Sequence, residues 1–257
     1  MSVRKKKIYD FSRETSLVRS SSCSIVQTPT GYVMNIGMSN KVQPQRQLTL
    51  NKKLVLDSEF NVLSEDVLEQ DVDGRRIAGV SDIRLRPDGT FHGHGLHPNG
   101  LVCVVHGQYE SPLKVDYLTP KDFTSWAKDW VFVEFADGYH VVEKWFPLTI
   151  GTYGEDRTLV TKFQMDMPGF EGVRGATNGF FHNDEIYFVV RKDDKHRIVV
   201  FSASMDEVRR QTEWFTFEGK TEESAFGLIV TDRDLLVSYN DGKVGVLDIY
   251  DQVVLNK

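Results

Sequence analysis

The chain has 257 residues, and 40% of them are hydrophobic, enough for a sizeable core within one domain, because all-β architectures reach this length without dividing. A net charge of −6 excludes a surface built for general phosphate neutralisation, which needs clustered Lys and Arg. No stretch approaches the roughly 18 consecutive apolar residues of a membrane helix.

Residues 1–18 form either a tail or a closing strand, and a single domain is expected over 19–257. The basic cluster Arg4 to Lys7 reads as a solvated terminus, with a nucleic-acid arm as the alternative. The first 20 residues hold no apolar run of the kind a secretory signal requires. Ser24 to Gln27, a turn at Thr28-Pro29-Thr30-Gly31, and Tyr32 to Ile36 predict a hairpin. Leu48 to Leu54 and Leu56 to Val62 predict a second pair of strands. Asp82 to Leu85 turns at Arg86-Pro87-Asp88-Gly89 into Thr90 to Gly95, and Trp130 to Phe135 turns at Ala136-Asp137-Gly138 into Tyr139 to Trp145. Gly179 to His182 turns at Asn183-Asp184 into Glu185 to Arg191, followed by Arg197 to Ser202. The last unit runs Gly227 to Thr231, Leu235 to Tyr239 and Lys243 to Ile249, with turns at 232–234 and 240–242. Short helical turns are expected only at 119–128, where Pro120 stands at the start, and at 205–212.

The hairpins centre near residues 30, 88, 137, 183 and 233, a spacing of about 50 residues that matches a blade of four strands. Five such units predict an all-β fold, a five-bladed β-propeller with four-stranded antiparallel blades around a central channel. Polar residues beside the inner strand of each blade would then converge on one pocket.

Five places carry polar residues in that position. In Gly79-Val80-Ser81-Asp82-Ile83-Arg84-Leu85, strand alternation places Asp82 and Arg84 on one face, as an acid beside an anion-binding guanidinium or as a structural ion pair. Charged residues among tryptophans, at Trp126-Ala127-Lys128-Asp129-Trp130 and Glu143-Lys144-Trp145, suit either a stacking platform for a sugar ring or packing between blades. In Val173-Arg174-Gly175-Ala176-Thr177-Asn178-Gly179, small residues around an Arg allow a ligand close to the backbone, or form a tight turn. Arg191, His196 and Arg197 add cations that could hold a phosphate. Glu222-Glu223 is an acidic pair entering the last unit. His92, His94 and His97 read as polar strand positions rather than a metal site, and no nucleotide or nucleophile-elbow motif is present. No metal and no cofactor is expected. Two cysteines, Cys23 and Cys103, match neither a disulfide framework nor a zinc spacing, which predicts a reducing, cytoplasmic setting.

Six phrases in order, Met34-Asn35-Ile36, Gly79 to Leu85, Lys128-Asp129-Trp130, Lys144 to Gly151, Arg174 to Thr177, and Glu223 to Leu228, resemble those of the five-bladed propellers related to β-mannoside phosphorylases and β-1,2-mannosyltransferases. The likeness spans roughly residues 20–250 and is closer to uncharacterised relatives in large DNA viruses, which would place the protein in host cytoplasm or a virion. The resemblance implies Asp82 as general acid and Arg84, Arg174 and Arg191 as holders of phosphate or a phosphosugar. It further implies a sugar site lined by Asp129, Trp130, Lys144, Trp145, Thr177 and Tyr239, with Glu223 holding sugar hydroxyls, and either Glu223 or Asp129 as the second carboxylate that an inverting hydrolase would need. Asp129 departs from the Asn usual in those relatives, and Gly37 and Ser39 replace an Arg and an aromatic. The expected activity is transfer of a mannose-like unit to or from phosphate or a glycan acceptor. An inverting hydrolase and a non-catalytic glycan-binding, virion or scaffold propeller are the alternatives. The expected partners are a sugar, a phosphosugar or inorganic phosphate, with no nucleic acid and no membrane.

Overall fold

The computed structural model describes residues 3–10, 19–39, 49–68, 71–72, 75–76, 80–85, 89–96, 102–108, 116–118, 131–135, 138–153, 159–217, 227–240 and 244–251. Among them every regular element is a β-strand. The strands form five antiparallel sheets plus a small pairing of Asp71–Val72 with Arg75–Arg76. The first sheet is Arg19–Thr28, Gly31–Ser39, Thr49–Leu56 and Val62–Leu68; the second is Val80–Leu85, Thr90–Leu96, Val102–Gln108 and Asp116–Leu118. The third is Val131–Phe135, Gly138–Trp145, Leu148–Tyr153 and Leu159–Met165. In the fourth, the first row is split into Arg174–Gly175 and Phe180–His182, followed by Glu185–Lys192, Lys195–Ser202 and Val208–Gln211. The fifth combines Gly227–Val230, Asp234–Asn240 and Val244–Asp251 with the N-terminal strand Val3–Asp10 on its outer side.

All five hairpins read from the sequence join the first and second strands of their sheets. Their turns follow from local chemistry: Asn183 and Asp184 take φ of 50° and 58°, the left-handed pair of a tight hairpin that Asn and Asp tolerate. Two expectations are corrected. The strands expected at 48–54 and 56–62 are Thr49–Leu56 and Val62–Leu68, joined by a turn over 57–61. Asp57 builds that turn: one carboxylate oxygen accepts from the Glu59 and Asn61 amides at 2.8 Å each, and the other from the Asn61 side chain at 2.8 Å. Phe60, at φ 63°, stacks on Tyr32 with ring centroids 4.7 Å apart. The helical turn expected at 205–212 is a tight turn at Met205 leading into the strand Val208–Gln211, which pairs with Lys195–Ser202. The other expected helical turn, at 119–128, lies outside the described residues.

The first sheet packs against the second and the fifth, and the fourth against the third and the fifth. The strand Arg19–Thr28 lies against Val80–Leu85 of the second sheet and Gly227–Val230 of the fifth, and Phe180–His182 lies between Gly227–Val230 and Val131–Phe135. Most of the fourth sheet is therefore covered on both faces, which explains the unbroken apolar run Ile186 to Val190. Ile186, Phe188 and Val190 join the core shared with Val131, Val142, Trp145 and Ile150 of the third sheet. Tyr187 and Val189 join the core shared with Leu228, Val230, Leu235 and Val237 of the fifth. A third core, built on Met34, Ile36, Leu54, Ile229 and Leu236, joins the first and fifth sheets. Each such side chain, fully buried, adds about 1.5–3 kcal/mol of transfer free energy.

Close contact between first strands sets the side-chain size there. A Cβ on Gly227 would stand 2.5 Å from the Ile25 backbone nitrogen and 2.5 Å from Ser238 Oγ. Gly227→Ala should therefore lower stability by about 1–3 kcal/mol through overpacking, read as a drop in the midpoint of denaturant unfolding. The Asp57 turn makes a pH-dependent prediction. The Asn61 backbone amide, then its side chain, hold the Asp57 carboxyl below its ordinary range. A depressed folded-state value stabilises the fold above the unfolded carboxylate pKa of about 3.9, and that contribution is lost as pH falls through the lower folded value. Asp57→Ala should thus lower Tm at neutral pH, with the gap to wild type closing on acidification through that window.

Candidate functional site

The split first strand of the fourth sheet organises the region. Gly175 pairs with Val190 and Phe180 with Tyr187, so residues 176–179 on one strand face only 188–189 on the other. Two backbone amides, of Ala176 and Thr177, both donate to the Val189 carbonyl at 2.9 and 3.1 Å. The Thr177 hydroxyl, fully buried, accepts the Val189 amide at 2.9 Å. A bulge held this firmly re-aims the chain on either side of it.

Immediately before the bulge, Arg174 stands directly across from Arg191, and Arg191 directly across from His196. Directly opposed residues of antiparallel strands share a face, with Cβ atoms about 4.5–5.5 Å apart. The face carries a row of basic groups graded in burial: Arg174 exposed, Arg191 half-buried, His196 fully buried. Two guanidinium groups so placed can hold one anion between them. His196 is fixed from behind. Its backbone exchanges hydrogen bonds with Phe215 at 2.7 and 2.8 Å, and its ring meets Phe217 edge-on at 4.9 Å. Phe217 in turn meets Tyr239 at 4.8 Å. Of the three cations grouped from the sequence, Arg197 alone points to the other face, where its guanidinium lies 4.4 Å from the Trp214 ring centroid and donates to Gln211 at 2.8 Å.

The third sheet packs on the opposite face of the fourth, where Gly175 and Val190 lie. A parallel bridge between Val133 and Gly179 shows that the first strands of the two sheets run the same way. The starts of both strands therefore lie at one end, together with the turn that follows Trp145. Gly175 permits the approach, since a Cβ there would press into Val131 and stand 3.0 Å from Trp145 Nε1. Lys144 is exposed beside it. Trp145 and Tyr239, expected to shape a sugar site, are only 3% and 1% exposed, which fits the alternative of packing between sheets for Trp145. Trp145 packs edge-on against Phe188 at 5.2 Å, and both rings belong to the intersheet cores. Packing on both sheet faces, rather than ligand stacking, accounts for them. Thr177, expected to contact substrate, has its hydroxyl engaged with the backbone.

Asp82 and Arg84 lie on the first strand of the second sheet. Ser81 pairs with His94 and Arg84 with His92, so Asp82 and Ile83 together face only Gly93. The simple alternation that put Asp82 and Arg84 on one face is interrupted at that bulge. Asp129, Trp130 and Glu223 lie outside the described residues. One cluster escaped the sequence reading. Glu143, at a register shift in Gly138–Trp145, accepts from the Tyr153 hydroxyl at 2.7 Å and pairs with Lys162 at 2.6 Å. Gly151 leaves room, since a Cβ there would stand 2.5 Å from Glu143 Oε1. Burial first, and then this carboxylate, push the Tyr153 hydroxyl well above its ordinary range. The signal available in sequence was an acid following two valines that occupy buried strand positions, Val141 and Val142.

No protein-family model matches the chain, and no curated protein matches it in sequence. Solved structures do match in fold. A glycosyl hydrolase from Bacteroides ovatus is similar at a TM-score of 0.61 and 12% identity, covering 96% of this chain and 89% of that one. A structure described under the GH130 family of mannoside phosphorylases, with glycoside hydrolases that target β-1,2 mannosidic linkages in Candida mannan, is similar at 0.57 and 10% identity, covering 91% and 85%. The GH43_1 enzyme from Xanthomonas citri is similar at 0.57 and 9% identity, covering 96% and 89%. The chain shares the all-β fold of these proteins along nearly its whole length.

The hydrogen bond between Thr177 and Val189 gives a local test. Thr177→Val keeps the shape but strands the buried Val189 amide, which should cost about 1–3 kcal/mol, read by chemical denaturation.

Proposed function

We propose that the five sheets close as the blades of a five-bladed β-propeller, and that the chain is a carbohydrate-active enzyme transferring a glycosyl unit to or from phosphate. The observation that carries this reading is the row Arg174, Arg191 and His196, set beside the bulged first strand of the fourth sheet. Two opposed guanidinium groups suit a phosphate or the phosphate of a sugar 1-phosphate, to which Arg binds in a bidentate way. The shared fold with a glycosyl hydrolase and with a structure from the mannoside phosphorylase family supports the sugar half of the reading.

In this mechanism phosphate, held by Arg174 and Arg191 with Arg84 contributing from the second sheet, attacks the anomeric carbon. The glycosidic bond breaks as Asp82 gives its proton to the departing oxygen. The products are a sugar 1-phosphate and a free alcohol, and Asp82 regains its proton from water. Because the incoming phosphate is itself the nucleophile, one carboxyl group suffices. Lys144, Asp129 and Trp130 would line the sugar side, and Glu223 would hold its hydroxyls. Trp145 and Tyr239 would act through the walls they pack rather than by touching sugar. The hydrolase names among the structural neighbours favour one second reading. In it Glu223 activates water, which for inversion requires a separation from Asp82 of roughly 6.5–9.5 Å.

The test is thermal unfolding of wild type, Arg174→Ala, Arg191→Ala and Asp82→Asn with phosphate, mannose 1-phosphate and short β-mannosides. A ligand at about 100 times its Kd adds about 2.7 kcal/mol to the folded state. Phosphate or the phosphosugar should raise the Tm of wild type and Asp82→Asn, and not of the two Arg variants. Asp82→Asn should lose phosphorolysis of the β-mannosides while keeping its ligand-free Tm. Hydrolysis without phosphate would establish the second reading, and no ligand effect on any protein would overturn both.

A further inference from the structure

Gly138–Trp145 holds one residue more than its neighbour Leu148–Tyr153 can match. Val142 pairs with Ile150 and Lys144 with Thr149, which leaves Glu143 as the extra residue of a bulge. A shift of one position moves a side chain to the other side of a sheet. In regular alternation from Val142, Lys144 would share the side of Val142, and Trp145 would stand on the opposite one. With the bulge, Trp145 pairs with Leu148 and joins Val142, Leu148 and Ile150 in the core against the fourth sheet, while Lys144 is exposed.

The bulge is held by its own side chain. Glu143 reaches across the next two strands: Oε1 accepts from the Tyr153 hydroxyl at 2.7 Å, and Oε2 pairs with Lys162 of Leu159–Met165 at 2.6 Å. Gly151, which pairs with both Val141 and Lys162, opens the path, because a Cβ there would stand 2.5 Å from Oε1. The Glu143 side chain is only 9% exposed. A carboxylate so covered is costly without partners, so these two contacts fix where Glu143, and with it the bulge, must lie. Thr149, opposite Lys144, donates to the Pro147 carbonyl at 3.1 Å and ties the turn beyond the bulge.

We propose that Glu143 is a positioning residue for the candidate site, setting through this bulge the faces on which Trp145 and Lys144 stand. Trp145 supports the site from behind. Its Nε1 would lie 3.0 Å from a Cβ on Gly175, the residue that follows Arg174. The indole therefore backs the start of the split strand, on the face opposite the Arg174–Arg191 row, and fixes the backbone from which Arg174 projects. Lys144, exposed at the same end, faces away from that core. Returned to regular alternation, the strand would turn an ammonium group into the apolar core and take the indole away from Gly175. What the site binds rests on the reading above; the control of side-chain face does not.

Fluorine NMR of the full chain labelled with 5-fluorotryptophan tests the inference, with the Trp145 resonance assigned by its loss in Trp145→Phe. Glu143→Leu, which offers no acceptor, should move that resonance. Tyr153→Phe, which removes a single hydroxyl, should do the same, and it serves if the first variant fails to fold. Glu143→Gln, which still accepts from Tyr153, should shift it less than Glu143→Leu. In thermal titrations with phosphate, Glu143→Leu and Tyr153→Phe should bind about tenfold more weakly than wild type, the lower end of what loss of an outer contact behind a ligand costs at metal sites. A Tm that falls while the Trp145 resonance and the phosphate affinity keep their wild-type values makes Glu143 structural only and overturns the proposal. An affinity unchanged although the resonance moves overturns it too. If the resonance moves but phosphate stabilises no protein, wild type included, the phosphate reading fails and the placement of Trp145 by Glu143 stands.

Discussion

The structure depends on how closely the first strands of adjacent sheets approach one another. Where the fifth sheet meets the first, Gly227 lies against the backbone of Ser24 and Ile25 with no space for a methyl group. Where the fourth meets the third, Gly175 lies against Val131 and Trp145 in the same way. Close approach there fixes the spacing of the sheets further out and so the volume that side chains must fill. Further out, the large side chains Phe188, Phe201, Trp145 and Tyr239 fill the space between the sheets. Arg174 stands where its strand begins and is exposed there, while His196 at the other end of the row is fully buried.

Much of the architecture was legible because hairpin turns carry their own chemistry. Asn183-Asp184 and the Gly-bearing turns declare themselves by residue type, and they recur at the spacing of a repeated unit. The turn at 57–61 was missed by several residues because no Gly or Pro marks it. Its signal was Asp57 with Asn61 four positions on, a side-chain device that strand alternation does not reveal. The strand Val208–Gln211 was missed because its exposed, charged residues match no apolar period. As an outer strand it needs none.

The site was less legible than the fold, for a physical reason. Opposition of Arg174 and Arg191 follows from the register of two strands 17 positions apart in sequence, and no local pattern encodes it. Aromatic residues misled in the other direction. A tryptophan beside a lysine looks the same in sequence whether its ring faces a ligand or a core, and here Trp145 faces the core. Bulges explain a further part of the difficulty. Asp82, Thr177 and Glu143 all sit at irregularities of register, so the rule that alternate residues share a face fails at the positions of greatest chemical interest.

The fifth sheet is made from both ends of the described chain, since Val3–Asp10 pairs with Val244–Asp251. During synthesis Val3–Asp10 is made more than two hundred residues before Val244–Asp251, the strand with which it pairs. During synthesis Ile8 therefore lacks its place beside Ile249, and the basic edge of its strand remains uncovered. Joining these distant segments also carries the loop-closure entropy of almost the entire chain, although that entropy grows only logarithmically with length. The first four sheets have all their strands available earlier. The fifth sheet is thus complete only once residues 244–251 have been made, and until then the core it shares with the first sheet lacks Ile249 and a docked Ile8.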